Sequence, residues 1–239
     1  MTADLLIAGA GGFARETVSA VRAINEAANH ATDEVRPAFR LLGFLDDDPA
    51  LHGTGRAGLT VLGGLSTVYD HPDAMVVVCV GNPRDYAARA RVVNRLALPD
   101  HRYATIVHPS ASVGTGCAVG PGSVLLAGAV LTAEVTVGAH VSVMPQAVLT
   151  HDDVVEDYAT IASGVRLGGA AWLEPGVYLG AGALIREGVR IGAGSLIGMG
   201  AVVLRDVPPG EVWAGNPARR LRPADEKASV FAGMTVRSS

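Results

Sequence analysis

The chain is sparing with charge and with cysteine. Only 18% of its residues are Asp, Glu, Lys or Arg, and the net charge is −4. Without a basic surplus there is no electrostatic footprint for nucleic acid or for an anionic membrane. The two cysteines, Cys79 and Cys117, are too few for a disulfide framework. Both stand in apolar, core-like contexts, which points to a reducing, cytoplasmic compartment. No apolar run is long enough to span a bilayer. No signal peptide is expected, since Met1-Thr2-Ala3-Asp4 leads straight into a short strand. What the chain has in abundance is aliphatic residues and glycine: 49% of it is hydrophobic, with 30 glycines in 239 residues. That length accommodates two domains and a sizeable core.

The aliphatic residues are periodic. From Val107 to Val203 every sixth residue is Val, Leu or Ile, without a break. The residue four further on is small or β-branched, as at Ala111, Ala129, Val141 and Ala183, with one exception, Asp153. Neither the helical period of 3.6 nor an alternation of two produces this pattern. A sustained period of six marks a hexapeptide-repeat parallel β-helix. Each unit is a short flat strand plus a corner. The aliphatic side chain points inward, and the small one fits a tight corner. Three units close a triangular coil, and coils stack at about 4.8 Å. Glycine often follows the aliphatic residue, as at Gly114, Gly120, Gly180 and Gly198, and is expected to serve corners that need φ > 0.

Before the repeat the pattern is α/β. Asp4–Ala8 reads as a buried strand, followed by Gly9-Ala10-Gly11-Gly12-Phe13-Ala14 and a helix from Thr17 to Ala28. A strand, a Gly-rich turn and a helix form a phosphate-cradling unit, because the glycines let backbone N–H groups approach an anion at the helix N-terminus. Arg40–Leu45 is a second strand and ends in Asp46-Asp47-Asp48. Three adjacent carboxylates repel one another and make a poor structural turn, but they suit hydroxyl or base recognition. Gly53–Gly64 reads as a loop or short hairpin. Met75–Val80 is a third strand, ending in Gly81-Asn82-Pro83, with a helix from about Asp85 to Leu96. Loops at the carboxyl ends of such strands form a ligand site by topology. The candidates there are Gly11, Gly12, Phe13, Asp46, Asp47, Gly81 and Asn82.

Inside the repeat, titratable groups are few. His151-Asp152-Asp153 interrupts an apolar run. A carboxylate beside a histidine fixes its tautomer and raises its basicity, as general-base chemistry requires. His108, His140 and His151 are not spaced to meet on one face, so no metal site is expected.

These landmarks resemble the two-domain sugar acyltransferases of the hexapeptide-repeat superfamily, of the sialic-acid and bacillosamine acetyltransferase type. The resemblance rests on Ala8–Gly12, Gly43–Asp48, Ile106–Ala111, Thr150-His151-Asp152 and Gly215-Asn216-Pro217-Ala218-Arg219, and runs to about Arg222. It implies a Rossmann-like sugar-nucleotide domain over residues 1–104 and a left-handed parallel β-helix over 105–222, followed by a loose tail over 223–239. It also implies a homotrimer with acetyl-CoA bound between neighbouring helices, and a nucleotide-linked amino sugar held by the first domain. His151 matches the catalytic base and Asp152 its carboxylate partner. Gly169 falls where a backbone N–H faces the thioester carbonyl. Gly180, Ala181, Gly198 and Met199 fall along the pantetheine groove. Relatives of this type often carry a second His nine residues after the base, where this chain has Thr160. O-acylation or a larger acyl group stays open, as do, from the residues alone, an NAD-binding oxidoreductase and a non-catalytic scaffold.

Overall fold

The computed structural model describes residues 2–30 and 38–234. It opens with β1 (Ala3–Ala8), α1 (Gly12–His30), β2 (Phe39–Leu45), β3 (Gly55–Arg56), β4 (Leu59–Gly63), β5 (Met75–Val78) and α2 (Ala88–Leu96). The sheet order is β3-β4-β2-β1-β5. β1 pairs in parallel with β2 on one side and β5 on the other. Both faces of β1 are covered, which explains its unbroken hydrophobic run. Leu5 and Ile7 pack with Ala14, Val18 and Val21 of α1, while Leu6 and Ala8 pack with Val93 and Leu96 of α2. Residues Gly53–Gly64 form a hairpin, β3 against β4. Helix α1 begins at Gly12, earlier than its glycines suggest. Thr17, expected at its start, is instead buried in its second turn and donates to Phe13 O at 3.0 Å.

From Ile106–Val107 to Val202–Val203 the chain forms two-residue strands in three parallel sheets. Each strand pairs with the one eighteen residues on, as Ser142↔Thr160 and Thr160↔Tyr178 show. The second residue of each strand points inward, and Leu125, Leu149, Ile161 and Leu179 are all 0% exposed. The small fourth residues, such as Ala129, Ala147 and Ala171, fill the same core.

The glycines that follow the aliphatic residues do not have the role expected of them. Positive φ occurs two residues later, at Gly116, Gly122 and Gly128, and also at Glu134, His140, Gln146, Asp152, Tyr158 and Ala170. At Gly114 and Gly120 the constraint is space. A Cβ on Gly114 would sit 1.6 Å from Thr132 O, and one on Gly120 would sit 2.6 Å from the Gly138 carbonyl carbon. The next coil passes too close for any side chain. The non-glycine residues in the left-handed region are held there by coil-to-coil hydrogen bonds, such as Asp152 N to Ala133 O at 3.1 Å.

One of the three sheets carries the α/β unit. Ile106, Val124 and Leu126 pack against the α1 side of the N-terminal core. Arg89 of α2 is 2% exposed. It donates to Ser142 Oγ, to Thr160 Oγ1 at 2.7 Å and to the carbonyls of Tyr158 and Ala159. Burial lowers its pKa to about 10, which leaves it cationic at neutral pH. His140 is also buried at this junction, stacked on Tyr158 at 5.2 Å. Burial, with a smaller contribution from the Arg89 charge, lowers its pKa to about 4 and keeps it neutral.

The segment expected to be a loose tail is ordered through its described part. Ala218–Pro223 pairs antiparallel with Glu211–Gly215, and a 3-10 helix follows over Glu226–Phe231. Phe231 is 1% exposed and packs with Tyr86, Ala87 and Ala90 of the α/β unit. Its ring also lies over Gly176 of the solenoid, where a Cβ would approach it to 2.3 Å. The segment therefore straps the two units together, and the five residues 235–239 lie outside the described part.

This contact has an internal control. Gly176 and Gly182 both have φ near +68°, but a Cβ at Gly182 meets nothing. Either Gly→Ala change costs roughly 1–2 kcal/mol of backbone strain. Only Gly176→Ala should also expel Phe231, so it should lose clearly more stability in urea and expose the segment after Pro223 to protease. Equal losses would remove the strap.

Candidate active site

His151 and Asp152 form the corner between strands Val148–Leu149 and Val154–Val155. Both side chains are exposed, and His151 Nδ1 lies 2.8 Å from Asp152 Oδ2. An ionised carboxylate only accepts, so the proton of a neutral ring sits on Nδ1 and Nε2 keeps the lone pair of a base. Asp152 has φ 62°, and that kink lets adjacent residues face each other. One coil further on, Gly169 lies beneath the ring. A Cβ there would come within 2.5 Å of both Cε1 and Nε2 of His151. The glycine makes room for the imidazole, and its N–H has no acceptor among the described residues. A proton acceptor and a hydrogen-bond donor therefore stand side by side.

Asp153 points the other way and is 0% exposed. Its Oδ2 accepts from Thr150 N at 2.7 Å and its Oδ1 from Ala171 N at 2.9 Å. Burial raises its pKa to about 7 despite those two hydrogen bonds.

The second cluster lies where β1, β2 and β5 end. Gly9, Ala10, Gly11, Gly12, Phe13, Asp46 and Gly81 line a cleft of about 210 Å³. Asp46 Oδ2 accepts from Ala10 N at 2.9 Å and so braces the Gly-rich turn. The other two carboxylates are used elsewhere, because each found its own donors. Asp47 accepts from Leu65 N and pairs with Arg95, facing a different hollow. Those contacts, the Leu65 N–H first, hold its pKa low. Asp48 accepts from Ala50 N and caps the short helix Pro49–Leu51. Asn82 accepts from Arg84 N within its own turn. Asp47 and Asn82 are thus not brought to the cleft, and the acidic triplet is in large part a turn.

The third group, Gly180, Ala181, Gly198 and Met199, lies on another edge of the prism, after Tyr178–Leu179 and Leu196–Ile197. Gly180 and Gly198 are close-packing positions. A Cβ on the first would lie 2.6 Å from Met199 N, and one on the second 2.8 Å from Ala214 Cβ. Met199 is 80% exposed. Ala181 lines a mostly apolar cavity of about 170 Å³ together with Phe13, Gly81, Arg89, Ser142 and Thr160. Arg89 carried no motif and is visible only in three dimensions. No group of three His, Cys, Asp or Glu able to hold a metal occurs among the described residues, and no helix there is long and apolar enough to cross a membrane.

The buried Asp153 makes stability pH-dependent. Its folded pKa lies above the unfolded value, so its contribution is fully present below about pH 4 and is lost as pH rises through about 7. Relative to Asp153→Val, the native protein should lose on the order of a few kcal/mol between pH 4 and 8. Parallel urea curves at pH 4.5 and 8 check this, and an unchanged difference would refute it.

No protein-family model and no curated protein sequence matches the chain. Solved structures do. The acetyltransferase domain of PglB from Neisseria gonorrhoeae FA1090, in complex with acetyl coenzyme A, is 27% identical over 92% of this chain and 100% of that one, with a TM-score of 0.75. PerB from Caulobacter crescentus, in complex with CoA and GDP-perosamine, is 25% identical over 92% and 98%, with a TM-score of 0.68. A variant of perosamine N-acetyltransferase from the same organism is 24% identical over the same shares, with a TM-score of 0.78, and speaks to the fold alone. With this likeness spanning both units, the chain is an acyltransferase enzyme built on an α/β domain and a left-handed parallel β-helix.

Proposed function

We propose that the enzyme transfers an acetyl group from acetyl-CoA to the amine of a nucleotide-linked sugar, in a homotrimer. The observation that carries this reading is the His151 ring, held by Asp152 at Nδ1 and seated over Gly169. His151 Nε2 takes the proton that the attacking amine loses. Asp152 holds the imidazole through Nδ1–H and stabilises its charge. Gly169 N–H donates to the oxygen on which negative charge develops. General-base help is worth roughly 10²–10⁴-fold, and one oxyanion donor about 10²–10³-fold. The thiolate leaves readily, so no covalent intermediate on the protein is required.

The cleft braced by Asp46 suits the nucleotide diphosphate, since its glycines leave backbone N–H groups approachable. PglB was solved with acetyl coenzyme A and PerB with CoA and GDP-perosamine, which supports both halves of the reaction. The placement of the two edges supports the trimer. His151 stands in the open at one prism edge, and the Ala181 and Met199 edge lies elsewhere on the same chain. A neighbouring solenoid can bring one edge against the other. The sheet between those edges presents Val130, Val148, Leu184 and Val202 outward, with Leu184 41% exposed, which suits a covered face.

Thermal-shift measurements should show stabilisation by acetyl-CoA and by a nucleotide sugar. Stabilisation by NAD alone would favour an oxidoreductase. His151→Ala should fold normally and lose at least about 10²-fold in kcat, and near-normal turnover would remove it from the mechanism. Asp46→Ala should raise KM for the sugar nucleotide and leave that for acetyl-CoA nearly unchanged. Equal effects on both would place the sugar nucleotide elsewhere. Sedimentation of a fully active monomer would end the trimer proposal.

A further inference from the structure

Every other residue that follows an aliphatic position, from His108 to Gly198, donates its backbone N–H to the main chain of the next coil, as Thr132 does to Leu149 O and Gly168 to Ile185 O. Thr150 does not. Its N–H goes to Asp153 Oδ2, and its hydroxyl, rather than its backbone, reaches Leu167 O at 2.9 Å. A second rerouting lies one coil on. In the corners of Ala147, Val165, Ala183 and Val189, the N–H of the small residue bonds the carbonyl three residues back. Ala171 N–H instead bonds Asp153 Oδ1. The sheet register records the consequence. Neighbouring solenoid strands pair through both residues, for example Val130↔Val148 and Leu131↔Leu149. Between Val148–Leu149 and Arg166–Leu167 only Val148↔Arg166 remains. The ladder is interrupted one residue before Thr150, beneath His151 and Gly169.

We propose that Asp153 is a positioning residue for acyl transfer. By drawing the Thr150 N–H out of the coil ladder and the Ala171 N–H out of its corner turn, it sets the spacing between the His151 ring and the Gly169 N–H. This explains why the one charged residue among the small inward positions adjoins His151. A buried carboxylate is costly, and a valine, as at Val135 or Val165, would fill the position without that cost. The role is exerted through Thr150 and Ala171, and Asp153 itself touches no reacting atom.

The inference rests on the proposed acyl-transfer reading, and the test keeps the two apart. Asp153→Val and Asp153→Asn are compared with the native enzyme in kcat, both KM values, urea stability at pH 8 and crystal structure. In Asp153→Val, Thr150 N should return to Leu167 O, stability should hold or rise, KM should change little and kcat should fall at least about tenfold. Asp153→Asn keeps the volume but offers one acceptor oxygen in place of two, and should lower kcat as well. Unchanged kcat in both variants, or a loss that only follows the folded fraction, overturns the proposal. If Asp153→Val does not fold, Asp153→Asn decides by the same readouts. If the native enzyme transfers no acyl group, the functional reading falls first, and an unaltered corner in the Asp153→Val crystal would overturn the positioning role independently.

Discussion

Coils stacked at strand spacing leave almost no room between their corners, and this closeness governs what each corner can hold. Gly114, Gly120 and Gly180 are glycines because the next coil's backbone occupies the place of a Cβ. Where a side chain does fit, it is held against the adjoining coil with little freedom. Gly169 applies the same rule to a different neighbour, since the space its Cβ would fill is taken by the His151 imidazole. The scaffold's packing constraint and the geometry of the candidate site are thus one feature. A rigid repeat places an imidazole and a backbone donor together without a flexible loop, which is the pre-organisation that transition-state stabilisation needs.

The repeat was legible because it is one-dimensional. A period of six states directly which residues point inward, and the strands fall where it puts them. The His151-Asp152 pair was legible because charge is scarce in an aliphatic run. Other features were not local. The acidic triplet Asp46-Asp47-Asp48 reads as a single cluster, but each carboxylate turns toward its own donor, at Ala10, Leu65 and Ala50. Adjacent residues on a turn need not share a face. Arg89 belongs to no pattern, and its partners lie at Ser142 and Thr160. Phe231 sits in an aperiodic stretch whose order depends on glycines far back in the chain. Asp153 showed as an exception to the small-residue rule, but the main-chain bonds it redirects could not be read from its identity.

The α/β unit is joined to the solenoid by unlike contacts. Ile106, Val124 and Leu126 continue its apolar core, Arg89 ties α2 to two coils through neutral acceptors, and the strap closes over Tyr86 and Ala90. An apolar contact alone would tolerate sliding along a face that repeats every eighteen residues. A guanidinium that needs Ser142 Oγ, Thr160 Oγ1 and two carbonyls together fits only one register. The strap adds a ring that fits only where glycine leaves space. Specificity of register, more than added stability, is the physical reading of a buried cation with no carboxylate partner among the described residues.

That fixed register bears on how the parts of the site can cooperate. Phe13 and Gly81 line both the Gly-rich cleft and the apolar cavity that reaches Ala181. A ligand anchored by its phosphates at the glycine turn would therefore extend toward the edge that holds Ala181 and Ser163, away from its own chain's His151. Within one chain the proposed base and the proposed acceptor site stand on different edges of a stiff triangular prism, and neither edge can bend to meet the other. Motion of the α/β unit cannot supply the missing contact while Arg89 and Phe231 hold it. In the proposed homotrimer each copy presents one edge to the next, so that the His151 of one chain would serve the acceptor site of its neighbour through a single kind of interface.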